Sequence, residues 1–130
     1  MKTDKTYLFL CLLLLFTITS WISSCSHKAD LSGIPAVCFE RDVFPIFLNS
    51  CAKPACHDGT GESELVLTDF SSIRNGVVPG APYSSPLYKS IISTTGENKM
   101  PPDQPISIDN RILIRVWIEQ GAEQIPCPGK

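Results

Sequence analysis

Proline restricts this chain more than any other residue: eleven of its 130 residues are proline, and eight more are glycine. A proline has no amide hydrogen to give to a helix or a sheet and fixes its own φ, so it tends to open a helix or to end one. Short segments joined by long loops follow, and no two alternating apolar segments read as paired strands. The expected fold class is all-α, with about four short helices and long Pro/Gly loops.

Asp42 is placed to cap a helix from Val43 to about Cys51. Val43, Phe44, Phe47 and Leu48 recur there at helical spacing, and Pro45 falls in the first turn, where its missing N–H has no helical partner anyway. A second helix is expected from about Phe70 to Asn75, closed by Gly76. A third opens at Ser85-Pro86 and runs through about Ile92. The last is capped by Ser107 and carries Ile108, Ile112, Leu113, Val116 and Trp117 as one apolar stripe, with Asp109 complementing the helix dipole and Gly121 ending it. Helices this short bury a modest core, and small domains of this kind lean on a covalent or cofactor staple.

The N-terminus reads as an export signal. Lys2 and Lys5 precede an apolar run that, counted to Ile22, spans about 16 residues, short of the ~20 a membrane-spanning helix needs. Ile22-Ser23-Ser24-Cys25 resembles a bacterial lipobox, which implies cleavage ahead of Cys25 and lipidation of that cysteine. The expected organisation is a signal peptide over 1–24, a polar tether over 25–36 and a folded domain over 37–130. A lipid anchor would hold this domain at a membrane without spanning it. Eleven Lys and Arg stand against 13 Asp and Glu, for a net charge of −2. With no basic stripe, nucleic acid is not an expected partner.

Of six cysteines, Cys11 leaves with the signal and Cys25 is taken by the lipid. The remaining four divide into Cys51/Cys56 and Cys38/Cys127. The second pair brackets the domain 89 residues apart, with no neighbouring histidine or tight spacing to suggest metal or redox chemistry. In an oxidising compartment a structural disulfide is expected there.

Cys51-Ala52-Lys53-Pro54-Ala55-Cys56-His57 carries the chemistry. Covalent attachment of haem needs two thiols to add across two vinyl groups and an imidazole directly after the second thiol to reach the iron. Cys56-His57 has that order, and Cys51 is the other thiol, separated by four residues where two are usual. Pro54 favours a turn in the spacer. Downstream, Met100 is the only methionine after Met1, and Pro101-Pro102 stiffen the loop that presents it. A His/Met iron leaves no position open to substrate and suits electron transfer.

Phe-Pro-Ile-Phe ahead of the cysteines, Cys-His-Asp, Lys-Met-Pro-Pro and the final Trp-Ile-Glu-Gln-Gly-Ala together resemble class I c-type cytochromes. The likeness is to the small lipoprotein cytochrome c domains common in Bacteroidetes and planctomycetes, some of which have a four-residue spacer. The resemblance covers about Val37 to Ala122. It implies one covalent haem c on Cys51 and Cys56, with His57 as proximal and Met100 as distal iron ligand. First and last helices are implied to cross beside the haem, with Phe44 or Phe47 and Trp117 packing there. The function implied is single-electron transfer, not enzymatic catalysis, between redox partner proteins in the cell envelope. The place implied is periplasm-facing and lipid-anchored, with Ser26 after Cys25 pointing to the outer membrane.

Two other readings stand beside it. In one, Cys51, Cys56 and His57 are zinc ligands, although adjacent Cys56 and His57 suit a single tetrahedral ion poorly. In the other, Cys51 and Cys56 form a second disulfide, and the protein is a lipoprotein interaction module without haem.

Overall fold

The computed structural model describes residues 5–10, 13, 29–61, 63–96 and 98–127. Cys11, Cys25 and the expected cleavage site lie outside them. Among the described residues the regular structure is helical and no strand forms. Residues 5–10 are helical and exposed, and no described helix is long and apolar enough to cross a membrane.

The domain opens with a π-helical turn, Phe39–Val43, that runs directly into α1, Phe44–Ser50. Pro45 accounts for the wide turn, since it has no amide for the carbonyl four residues back and its ring crowds that carbonyl. Phe44 donates to the Phe39 carbonyl five residues back. Asp42 is therefore not the N-cap of α1. It lies inside the turn, and its Oδ2 accepts from the Cys38 amide at 2.9 Å while its own amide donates to the Cys38 carbonyl at 2.9 Å. The helical structure of the domain therefore begins at Phe39, ahead of the Val43 start that the periodicity predicts.

Helix α2, Phe70–Asn75, is capped by Asp69, whose carboxylate accepts from the Ser72 amide. Gly76 follows it with an ordinary right-handed φ of −80°. Its side-chain-free surface serves close packing instead: a Cβ there would meet Leu87 at 3.1 Å. Helix α3, Pro86–Ile92, has Ser85 at its N-cap position, but the Ser85 side chain makes no capping bond. The Ser85 hydroxyl is fully buried, donates to the Ala81 carbonyl at 2.9 Å and accepts from the Val78 amide at 2.8 Å. It thus pins the Pro-rich loop, with its 3-10 turn Pro82–Ser84, beneath α3.

Helix α4, Ile108–Glu119, is capped by Ser107, which accepts from the Asn110 amide. Its buried residues are Ile114, Val116, Trp117 and Ile118, while Ile108 and Ile112 are exposed at 66% and 45%. The apolar stripe is therefore rotated from the expected one, because α4 packs against the π-helical turn and α3 and leaves its first turn uncovered. Gly121, at φ +106°, closes the helix: its amide donates to the Ile118 carbonyl and the Ala122 amide to the Trp117 carbonyl. This pair of bonds is the Schellman closure, a conformation glycine adopts without strain.

The core centres on Phe39, whose ring meets Phe44 at 5.4 Å, Phe70 at 4.9 Å and Trp117 at 5.3 Å. Trp117 Nε1 donates to the Glu123 carbonyl, drawing the C-terminal tail over the core. Gln120 accepts from the Val37 amide and donates to the Pro35 carbonyl, so both ends meet at the foot of α4. Cys38 and Cys127 form the expected disulfide there, and Gln124 bonds Glu40 beside it.

Replacing Cys38 and Cys127 by Ser frees an 89-residue loop and is expected to lower unfolding stability by about 2–4 kcal/mol, read from denaturant midpoints. The Asp42 carboxyl is held below its ordinary value of 3.8 by hydrogen bonding to Arg41, with burial opposing and the Cys38 amide assisting. A lowered folded-state value means that the unfolded chain takes up the proton first, so this contribution is present above 3.8 and fades as pH falls through the folded value. Asp42→Asn should therefore lower stability at neutral pH and make its further fall in acid shallower.

Candidate functional site

Cys51, Cys56, His57 and Met100 line one cavity of about 420 Å³, within the ~300–1,000 Å³ span of ligand pockets. Its walls are mainly apolar. Phe47 comes from α1, Leu65 and Leu67 from the loop after the motif, Leu87 and Ile91 from α3, and Pro101-Pro102 from the methionine loop.

The four-residue spacer closes as a compact turn. The Cys56 amide donates to the Lys53 carbonyl at 2.9 Å and the His57 amide to the Cys51 carbonyl at 3.2 Å. Ala55 takes up the excess length by adopting a left-handed φ of +64°, a conformation that costs a residue bearing Cβ about 1–2 kcal/mol. Two contacts hold it there. Thr60 Oγ1, itself bonded to Asp58, accepts from the Ala55 amide at 3.3 Å. Gly61 lies so close that a Cβ on it would stand 2.6 Å from the Ala55 carbonyl group. Gly61 is therefore required by contact.

Both thiols are free, Cys51 buried and Cys56 exposed. Burial, reinforced by the nearby Cys56 and opposed by Lys53, pushes the Cys51 thiol up to about 11. It is therefore protonated at neutral pH.

His57 is oriented by the segment after it. Its carbonyl accepts from the Leu67 amide at 2.8 Å, and its Nδ1 lies 2.8 Å from the Leu65 carbonyl and 2.9 Å from Ser63 Oγ. A carbonyl only accepts, so the neutral ring carries its hydrogen on Nδ1 and keeps the Nε2 lone pair free. Metal-ligating histidines are held in this way, with the distal nitrogen left for the metal. Ser63 and Leu65 were not legible as site residues, since their role depends on how the loop returns to the ring.

The methionine loop is tied to α3 by the Met100 amide, which donates to the Ser90 carbonyl at 3.0 Å, and closed by Lys99 Nζ, which donates to the Pro102 carbonyl at 2.8 Å. The Met100-Pro101 bond is cis. Of the aromatic residues expected beside the cofactor, Phe47 lines the cavity, whereas Phe44 and Trp117 do not. Trp117 packs on Phe39 and Phe70 instead, and no residue of α4 reaches the cavity wall.

Residues 54–104 match the family model described as Planctomycete cytochrome C. The match begins just after Cys51 and includes Cys56, His57 and Met100. It supports a cytochrome c-type domain. Covalently bound haem c and an electron-transfer role are what a domain of that type implies. No curated protein and no solved structure matches the chain.

The residues present fit that group. Two unpaired thiols, an imidazole with Nε2 free and a thioether border one apolar cavity. Among the described residues no cluster of three or more His, Cys, Asp or Glu could hold a metal ion, as the zinc reading requires. Cys51 and Cys56 are not joined in a disulfide, so the pairing that the interaction-module reading needs is not formed.

Gly61→Ala is expected to push the Ala55 backbone out of its turn and to cost about 1–3 kcal/mol. Thermal unfolding of purified protein, together with the covalent haem bound per chain, would measure it.

Proposed function

We propose that this protein is a monohaem c-type cytochrome that carries single electrons in the cell envelope. The observation that carries the reading is the convergence of Cys51, Cys56, His57 and Met100 on one apolar cavity. Cys51 and Cys56 would hold haem c through thioethers, and His57 Nε2 and the Met100 thioether would bind its iron. When bound, the group would supply one-electron ferric/ferrous chemistry. The chain's own part is to orient the imidazole through Leu65, to hold the methionine loop on α3 and to exclude water with Phe47, Leu67, Leu87 and Ile91. Haem burial would also complete a core that the short helices leave small.

The finer reading is of a small exported lipoprotein. The N-terminal charges and apolar run would direct export, Cys25 would be lipidated, and residues 25–36 would tether the domain to the outer membrane on its periplasmic side. Its partners would be a redox donor and a redox acceptor protein.

The test is expression of the full chain in a host that assembles c-type cytochromes. A red protein whose absorbance stays with the polypeptide in denaturing gels is expected. Met100→Ala should keep the haem and lose the weak long-wavelength band of sulfur-to-iron ligation. A colourless chain with one zinc per molecule, or with a Cys51–Cys56 disulfide, would overturn the reading.

A further inference from the structure

His57 has one N–H to give at Nδ1, and the fold offers it two acceptors. The Leu65 carbonyl lies at 2.8 Å and Ser63 Oγ at 2.9 Å. Ser63 Oγ also stands 3.3 Å from that same Leu65 carbonyl, to which its hydroxyl donates. The three groups close a triangle. With its hydrogen given to the carbonyl, Ser63 presents oxygen lone pairs to the ring N–H. Ser63 is half-buried on the cavity wall, and its contact with the ring is the part-buried side of the triangle, while the two contacts to the Leu65 carbonyl are exposed.

We propose that Ser63 is a positioning residue for His57, sharing the Nδ1 hydrogen with Leu65 and raising the electron-donor strength of Nε2 toward the iron. This rests on the cytochrome reading. A shared N–H makes the imidazole a stronger ligand, as outer partners of metal-bound histidines do. Stronger donation favours the ferric over the ferrous state and so lowers the reduction potential. The backbone carbonyl is available at any sequence, whereas the hydroxyl is supplied by residue 63 alone, so this position tunes the centre without touching the iron.

The test uses the full chain with its haem attached, as wild type, Ser63→Ala and Ser63→Thr. Potentiometric titration should place Ser63→Ala above wild type by a shift on the order of threefold in the ferric-to-ferrous ratio, about 30 mV at 59 mV per decade for one electron. Ser63→Thr keeps the hydroxyl and should stay at the wild-type value. In the reduced state, proton NMR should show faster solvent exchange of the His57 Nδ1 hydrogen in Ser63→Ala alone. Equal potentials and exchange in all three would overturn the assignment while leaving the cytochrome reading intact, and so would a Thr variant that shifts as far as Ala. A threonine variant with slow exchange but an Ala-like potential would overturn the tuning role as well. A wild-type chain without covalent haem would overturn the cytochrome reading itself, and this inference with it.

Discussion

The hydrogen bond between His57 Nδ1 and the Leu65 carbonyl is the constraint around which the functional half of the molecule is arranged. It fixes which nitrogen carries the hydrogen and leaves the other with a free lone pair. To make it, the chain must turn back within a few residues of Cys56-His57. The left-handed Ala55, the Asp58–Thr60 bonds and the bare surface of Gly61 accomplish that turn. The strain at Ala55 is local, and it is held by contacts from Thr60 and Gly61. Such strain persists only where its surroundings over-determine it, often at functional sites.

The rest of the fold separates two tasks. Phe39, Phe70 and Trp117 form an aromatic core with α4, closed by Gln120, the Trp117–Glu123 bond and the Cys38–Cys127 disulfide. The cavity lies to one side, walled by α1, α3 and two loops. The motif therefore hangs between a covalently closed body and the methionine loop that Ser90 holds to α3. On the proposed reading, the disulfide joins the two ends of the chain beside the aromatic core, and haem would fill the cavity that the same core borders through Phe47, Leu67, Leu87 and Ile91.

Much of this was legible because punctuation residues act locally. Pro86 opens α3 and Gly121 closes α4 as their backbone chemistry requires, and Phe70–Asn75 forms where its flanks suggested. Cys38 and Cys127 pair as expected from an oxidising compartment and the absence of other partners. What was not legible depends on tertiary contact. Asp42 looks like a cap in sequence, yet its carboxylate accepts from the Cys38 amide inside the π-helical turn, and Ser85, although it stands where α3 opens, turns its hydroxyl to Val78 and Ala81. The α4 stripe was readable at Leu113, Val116 and Trp117, which pack in or against the core, but not at Ile108 and Ile112, because every residue from Ile112 to Ile118 except Arg115 is apolar and packing chooses the face. Trp117 was expected at the cofactor for its motif, and the core took it. The chemistry-bearing residues were readable individually by type and order, but only the fold brings Cys51, Cys56, His57 and Met100 to one wall and supplies Ser63 and Leu65 behind the ring.

Peptide mapping by mass spectrometry of protein from a cytochrome-assembling host decides whether the two thiols of the four-residue spacer hold a single haem. One peptide spanning Cys51 to His57 and carrying one haem bound to both cysteines is expected, with Cys38 and Cys127 recovered as a disulfide. Unmodified Cys51 and Cys56, or the two joined to each other, would contradict this attachment.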